Sequence, residues 1–140
     1  MKLDDLRFKP GTYLAFLLSE KSRADLLTRW PPLYPDVRCH HVTLEFNLTD
    51  EKLAFFMRAL KGGADVQVVG YAKSDKLDLF AVTLNGQAVR PDGGYYHITH
   101  SLVPPTKPKE SNDLLTRLKG ETDKFRGTWK LDGEVILLKK

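Results

Sequence analysis

The chain has 140 residues, 41% hydrophobic and 29% charged, with a net charge of +4 and a sequence pI near 9.2. One domain spanning 1–140 with its own core is expected, and the composition requires no disordered segment. The mild positive charge suits an anionic ligand such as a phosphate or a short nucleic acid, and falls short of the dense basic stripe of a long-duplex binder.

The opening "MKLDDLRFKPG" carries acidic residues and no apolar run of the secretory kind, and nowhere is an apolar stretch long enough to cross a bilayer. The lone Cys39 cannot form an internal disulfide, which points to a reducing, cytoplasmic compartment. "GTYLAFLLS" (11–19) reads as a buried strand. "EKSRADLLTRW" (20–30) reads as a short helix stopped by Pro31 and Pro32. "RWPPLYPDVR" (29–38) reads as a loop.

"HHVTLEFNL" (40–48) alternates, with Val42, Leu44 and Phe46 facing one way and His41, Thr43 and Glu45 the other. The segment 49–63 is the clearest helix. Thr49 is its N-cap, Asp50 and Glu51 suit its positive end, Leu53, Phe56, Met57 and Leu60 form its apolar stripe, and Gly62 ends it. Strands at 64–73 and 76–86 form a hairpin across "SD". A strand at 95–103 follows, then a helix at 110–120 with Ser111 as cap and Gly120 as stop, then one or two strands in 127–140. Trp30, Trp129, Phe55 and Phe56 are assigned to packing. Strands and helices do not alternate strictly, so the expected class is α+β. The expected form is bilobal, two pseudo-symmetric lobes of mostly antiparallel sheet with flanking helices around a central groove.

Two strands carry the same unit, His41-x-Thr43 and His97-x-Thr99. Residues i and i+2 of a strand share a face, so each unit presents an imidazole and a hydroxyl together on a rigid element. Cleaving a phosphodiester needs one group to take a proton and another to give one, and histidine suits both roles near neutral pH. Threonine hydroxyls can donate to phosphoryl oxygens. By the same alternation His40 and His100 fall on the opposite faces and are read as lying outside the site. Adjacent histidines facing apart, with no Cys-x-x-Cys or His-Glu-x-x-His spacing, argue against a metal centre. No Gly-x-Ser-x-Gly elbow or Walker-type loop is present, so neither a metal nor a cofactor is expected. Tyr95 and Ser101 share the His97/Thr99 face by parity, and Arg90, Lys107 and Lys109 flank that strand. These five are the candidate substrate-binding residues.

"HVTL" (41–44) and "HITH" (97–100) resemble the paired His-x-Thr signature of the 2H phosphoesterase superfamily, and the order of elements is similar along most of the chain. The stretch 90–115 looks like the corresponding segment of small bacterial and phage members described as RNA-repair-like. These in turn are similar in motif style to the cyclic phosphodiesterase domain of fungal tRNA ligases. The resemblance implies two motifs facing each other across a groove, His41 and His97 as the acid–base pair, and Thr43 and Thr99 on the phosphoryl oxygens. It implies a nucleotide, a cyclic oligonucleotide or an RNA end as substrate. His100 departs from the pattern, where an apolar or aromatic residue is usual. The short spacing between the motifs favours a small ligand or an RNA end over macromolecular recognition.

Three readings follow. The first is a metal-independent phosphodiesterase acting on 2′,3′-cyclic phosphates. The second is a nuclease acting on cyclic or 2′–5′/3′–5′ oligonucleotide immune signals, as in phage anti-defence. The third is a module that binds a phosphate ligand without turnover. None requires a membrane or an obligate protein partner.

Overall fold

A computed structural model describes residues 12–139, and the side chains of all of these but 124–128 and 139. The opening stretch 1–11 and Lys140 lie outside the described residues. The elements run β1 (Thr12–Leu18), α1 (Glu20–Arg29), β2 (Asp36–Val37), β3 (His41–Glu45), α2 (Asp50–Ala59), β4 (Val66–Lys73), β5 (Leu77–Leu84), β6 (His97–Leu102), α3 (Glu110–Arg117), β7 (Asp123–Leu131) and β8 (Gly133–Lys139). The fold is α+β, built on two antiparallel sheets ordered β3-β1-β8 and β2-β6-β5-β4-β7. The two motif strands therefore belong to different sheets. Among the described residues no helix is long and apolar enough to cross a membrane.

Local chemistry explains most boundaries. The α1 helix starts at Ser19, whose hydroxyl accepts from the Ser22 amide, and ends before Pro31 and Pro32. Thr49 caps α2 by accepting from the Lys52 amide. The expected stop at Gly62 is displaced. The α2 helix ends at Ala59, and Gly63, at φ 105°, takes the left-handed turn and donates to the Leu60 carbonyl. Leu53 and Phe56 are buried and Leu60 packs half-buried against the core, but Met57 and Phe55 are exposed, so the expected stripe packs except at Met57 and Phe55 is not a core residue. The loop expected at 29–38 contains β2, which pairs with the end of β6. The last hairpin starts earlier than expected, at Asp123, because β7 extends along β4.

The main core gathers Leu14, Phe16, Leu26, Val42, Leu44, Phe80 and Ile98 between the sheets and under α1 and α2. Trp30 stands edge-on to Phe80 and to Trp129, with ring centroids 5.4 and 5.2 Å apart, which agrees with the packing role expected of both tryptophans. A smaller cluster of Leu77, Leu79, Leu102, Leu114 and Leu115 seats α3 on the back of β5 and β6.

The β1–β8 pair is tight at Gly133, where an added Cβ would lie 2.1 Å from the Leu17 carbonyl oxygen and 2.8 Å from the Phe16 ring. Since the first obstacle is backbone, Gly133→Ala is expected to cost about 2–3 kcal/mol. A lowered urea midpoint with unchanged slope would register this, and an unchanged midpoint would refute it.

Candidate active site

The chain crosses from one sheet to the other between β2 and β3, and that crossing brings the motifs together. After β2 the backbone stays on β6: Arg38 donates to the His100 carbonyl at 2.9 Å and Cys39 to the Thr99 carbonyl at 2.8 Å. Cys39 then adopts a left-handed conformation, φ 53°, and the next residues leave β6 to pair with β1. A buried non-glycine residue in this conformation is uncommon and marks a backbone held in place by its surroundings.

A cavity of about 440 Å³ opens where β3 and β6 meet. It is lined by His41 and Thr43, by His97 and Thr99, and by Tyr13, Arg38, His40, Phe46, Pro108 and Lys109. Both His-x-Thr units therefore face one space. Of the described residues lining it none is acidic, while Arg38 and Lys109 bring positive charge. Among the described residues no group of three or more His, Cys, Asp or Glu side chains gathers as metal ligands.

His97 and Thr99 are held from outside the cavity. His97 is 8% exposed, and its Nδ1–H donates to the Tyr95 carbonyl at 2.8 Å, which leaves Nε2 as the remaining ring nitrogen. Thr99 Oγ1 lies 2.8 Å from the hydroxyl of Ser111. Ser111 was expected to cap α3, but the N-cap position is Lys109, without a side-chain cap bond, and Ser111 is buried in the first turn against Thr99. His41 packs 5.8 Å from the Tyr13 ring, and Tyr13 is 5.8 Å from Phe46, forming an aromatic wall.

Burial pushes the imidazole of His97 down to about 4, and the Arg90 guanidinium adds to this against the Tyr95 hydrogen bond. Burial likewise pushes His41 down to about 4, helped by His40, His97 and Arg38. Both rings are neutral in the resting protein at neutral pH.

The other expected binding residues divide. Lys109 lines the cavity, whereas Lys107, Tyr95, Arg90 and Ser101 do not. Tyr95 lies over Gly120 and packs on the α3 cluster, and what it contributes to His97 is its carbonyl. Arg90 is 5% exposed, folded against Gly94, bonded to Asp92 at 3.1 Å and placed 5.1 Å from the Phe46 ring. Lys107 is exposed, and its backbone amide binds the Glu110 carboxylate.

Ser101 was placed by strand parity, which fails at His100. Asp78 pairs with Ser101 and Leu79 with Thr99, leaving His100 as an extra residue in β6. The bulge reverses the alternation. Ser101 therefore turns to Asp78, to which it donates at 2.5 Å, while Tyr71 donates to the other carboxylate oxygen. His100 is fully buried against Phe80 and donates to the Trp30 carbonyl at 2.6 Å, so it packs in the core and lies outside the cavity.

The same kind of failure hid other lining residues. The expected placement of His40 outside the site is overturned: β3 begins at His41, so His40 lies before the regular strand, alternation does not govern it, and both histidines reach the cavity. Phe46 was expected on the core face with Val42 and Leu44. Glu45 pairs with Leu14 and Thr43 with Ala15, which leaves Leu44 as an extra residue in β3, so Glu45 is buried and Phe46 instead lines the cavity. Arg38 carries a readable signal, because Asp36 two residues earlier shares its face and binds it through two bonds of 3.0 and 3.1 Å. Removing this cation, as in Arg38→Ala, is expected to weaken sulfate binding about tenfold by calorimetry. Unaltered affinity would place Arg38 outside the anion site.

No family model, no curated protein and no solved structure matches this chain.

Proposed function

We propose that the chain is a metal-independent phosphodiesterase that opens 2′,3′-cyclic phosphates of nucleotides or RNA ends. The observation that carries this reading is the meeting of both His-x-Thr units on one cavity with cationic and no acidic lining residues. One imidazole takes a proton from water as the water oxygen bonds to phosphorus. The other, which takes up a proton from solvent when the phosphate binds, gives a proton to the ribose oxygen whose bond to phosphorus breaks. One water is consumed, a phosphomonoester and one free hydroxyl result, and exchange with solvent returns both rings to their starting state. Thr43 and Thr99 donate to the non-bridging oxygens, with Arg38 and Lys109 balancing the added charge. The cavity volume is in the range of small-molecule sites, which favours a single nucleotide or an RNA end over a larger cyclic oligonucleotide.

The test is turnover of a panel of 2′,3′-cyclic nucleotides and cyclic and 2′–5′ linked oligonucleotides in excess EDTA. Opening of the 2′,3′-cyclic nucleotides with a bell-shaped pH–rate profile is expected. Cleavage confined to the oligonucleotides would move the assignment to the signal nuclease. Binding without turnover of any member would leave a phosphate-binding module, and loss of activity in EDTA would reject the metal-free mechanism.

A further inference from the structure

His40 is the lining residue for which the His-x-Thr logic has no use, and its geometry is specific. Its ring plane lies within 16° of that of His41, the ring centroids are 4.6 Å apart, and the two Nδ1 atoms approach to 2.5 Å. A face-to-face stack would hold all ring atoms about 3.5 Å or more apart. The rings are therefore nearly coplanar and meet edge to edge through their Nδ1 atoms. Two lone pairs cannot face each other at that distance, so one proton lies between them.

We infer that His40 is a positioning residue for His41: its Nδ1–H donates to the Nδ1 of His41, fixes that ring as the Nε2–H tautomer, and shares its charge when it is protonated. An anion in the cavity favours this direction of the bond. His97 has given its Nδ1–H to the Tyr95 carbonyl and as a neutral ring offers no N–H to a ligand, so of the two motif histidines only His41 can supply an imidazole donor. The two motif histidines then differ. His97 presents a lone pair and is the base, and His41 presents an N–H and is the acid. These roles rest on the phosphodiesterase reading, but the tautomer does not. The charged groups around the pair are Arg38 and Arg23 beside His40 and Arg38 and His97 beside His41, with Tyr13 packed on the His41 ring from β1. Arg38 and Arg23 oppose a positive charge on the pair, so a bound anion is what draws the proton onto it.

The experiment is ¹⁵N-resolved NMR of the histidine rings of the whole protein with and without sulfate, for wild type, His40→Ala and His40→Asn. The asparagine amide places an N–H close to where Nδ1–H stood. The Nε2–H form of His41 is expected in wild type and in His40→Asn, with a mixture of tautomers in His40→Ala. On a cyclic nucleotide, His40→Ala is expected to lower kcat about tenfold or more with little change in KM and to shift the acidic limb of the pH profile. His40→Asn should recover kcat. An Nδ1–H form of His41 in wild type, or a tautomer unchanged in His40→Ala, overturns the inference. Absence of turnover by wild type on every substrate would sink the phosphodiesterase reading alone, since the tautomers are read with sulfate.

Discussion

His97→Asn is expected to lower kcat on a 2′,3′-cyclic nucleotide by about 10²–10⁴-fold, the usual contribution of a positioned acid or base. Asparagine can still donate to the Tyr95 carbonyl, which in the native protein receives Nδ1–H at 2.8 Å, so the local backbone keeps its partner while the base disappears. His41→Asn is expected to act on the same scale, because it removes the other proton carrier from the cavity. Since the two act in one step, the double variant should be little worse than either single one. Sulfate affinity and near-ultraviolet circular dichroism of the variants separate lost chemistry from lost structure. Near-wild-type kcat in either variant would remove that histidine from the mechanism.

The second large effect is on stability in acid. The imidazole of His97 is held down at about 4 in the folded protein, mainly by burial, against an ordinary value of 6.5. Between those values the unfolded chain binds more protons than the folded one, so stability rises with pH through that window. The contribution is complete above about pH 6.5 and is lost as pH falls toward about 4, a change of about 3 kcal/mol. His41 adds in the same direction, being lowered by burial and by His40 and His97. Urea unfolding across this range should show a steep acid loss in wild type and a shallower one in His97→Asn. Parallel curves would mean that His97 is not buried in its neutral form. Saturating sulfate should flatten the wild-type curve, because an anion favours the charged rings.

The sequence already carried the α+β class, the central hairpin, the Thr49 cap and the two His-x-Thr strands. These follow from short-range rules: a period of two on strands, a capping side chain at a helix start, and prolines after α1. The positions of Val42 in the core and of His41 and Thr43 on the cavity obey simple alternation because β3 pairs with β1 in unbroken register from His41 to Thr43.

What lay beyond alternation was decided by tertiary structure. Three local breaks account for the errors of alternation at the site: the irregular backbone from the left-handed Cys39 to His40, the extra residue Leu44 in β3, and the extra residue His100 in β6. Each reverses which face a side chain takes, so His40 and Phe46 joined the cavity and Ser101 left it for Asp78. Likewise the place of Ser111 against Thr99 depends on how α3 docks on β6, a contact between residues twelve positions apart. The sequence by itself determined which residues could do proton chemistry and that they come in two matched pairs. Only the tertiary structure decided that the pairs share one cavity and which neighbours hold them. Alternation within a strand is a local property of the backbone, whereas the facing of two strands from different sheets is settled by packing and by the backbone bonds that carry the chain from one sheet to the other.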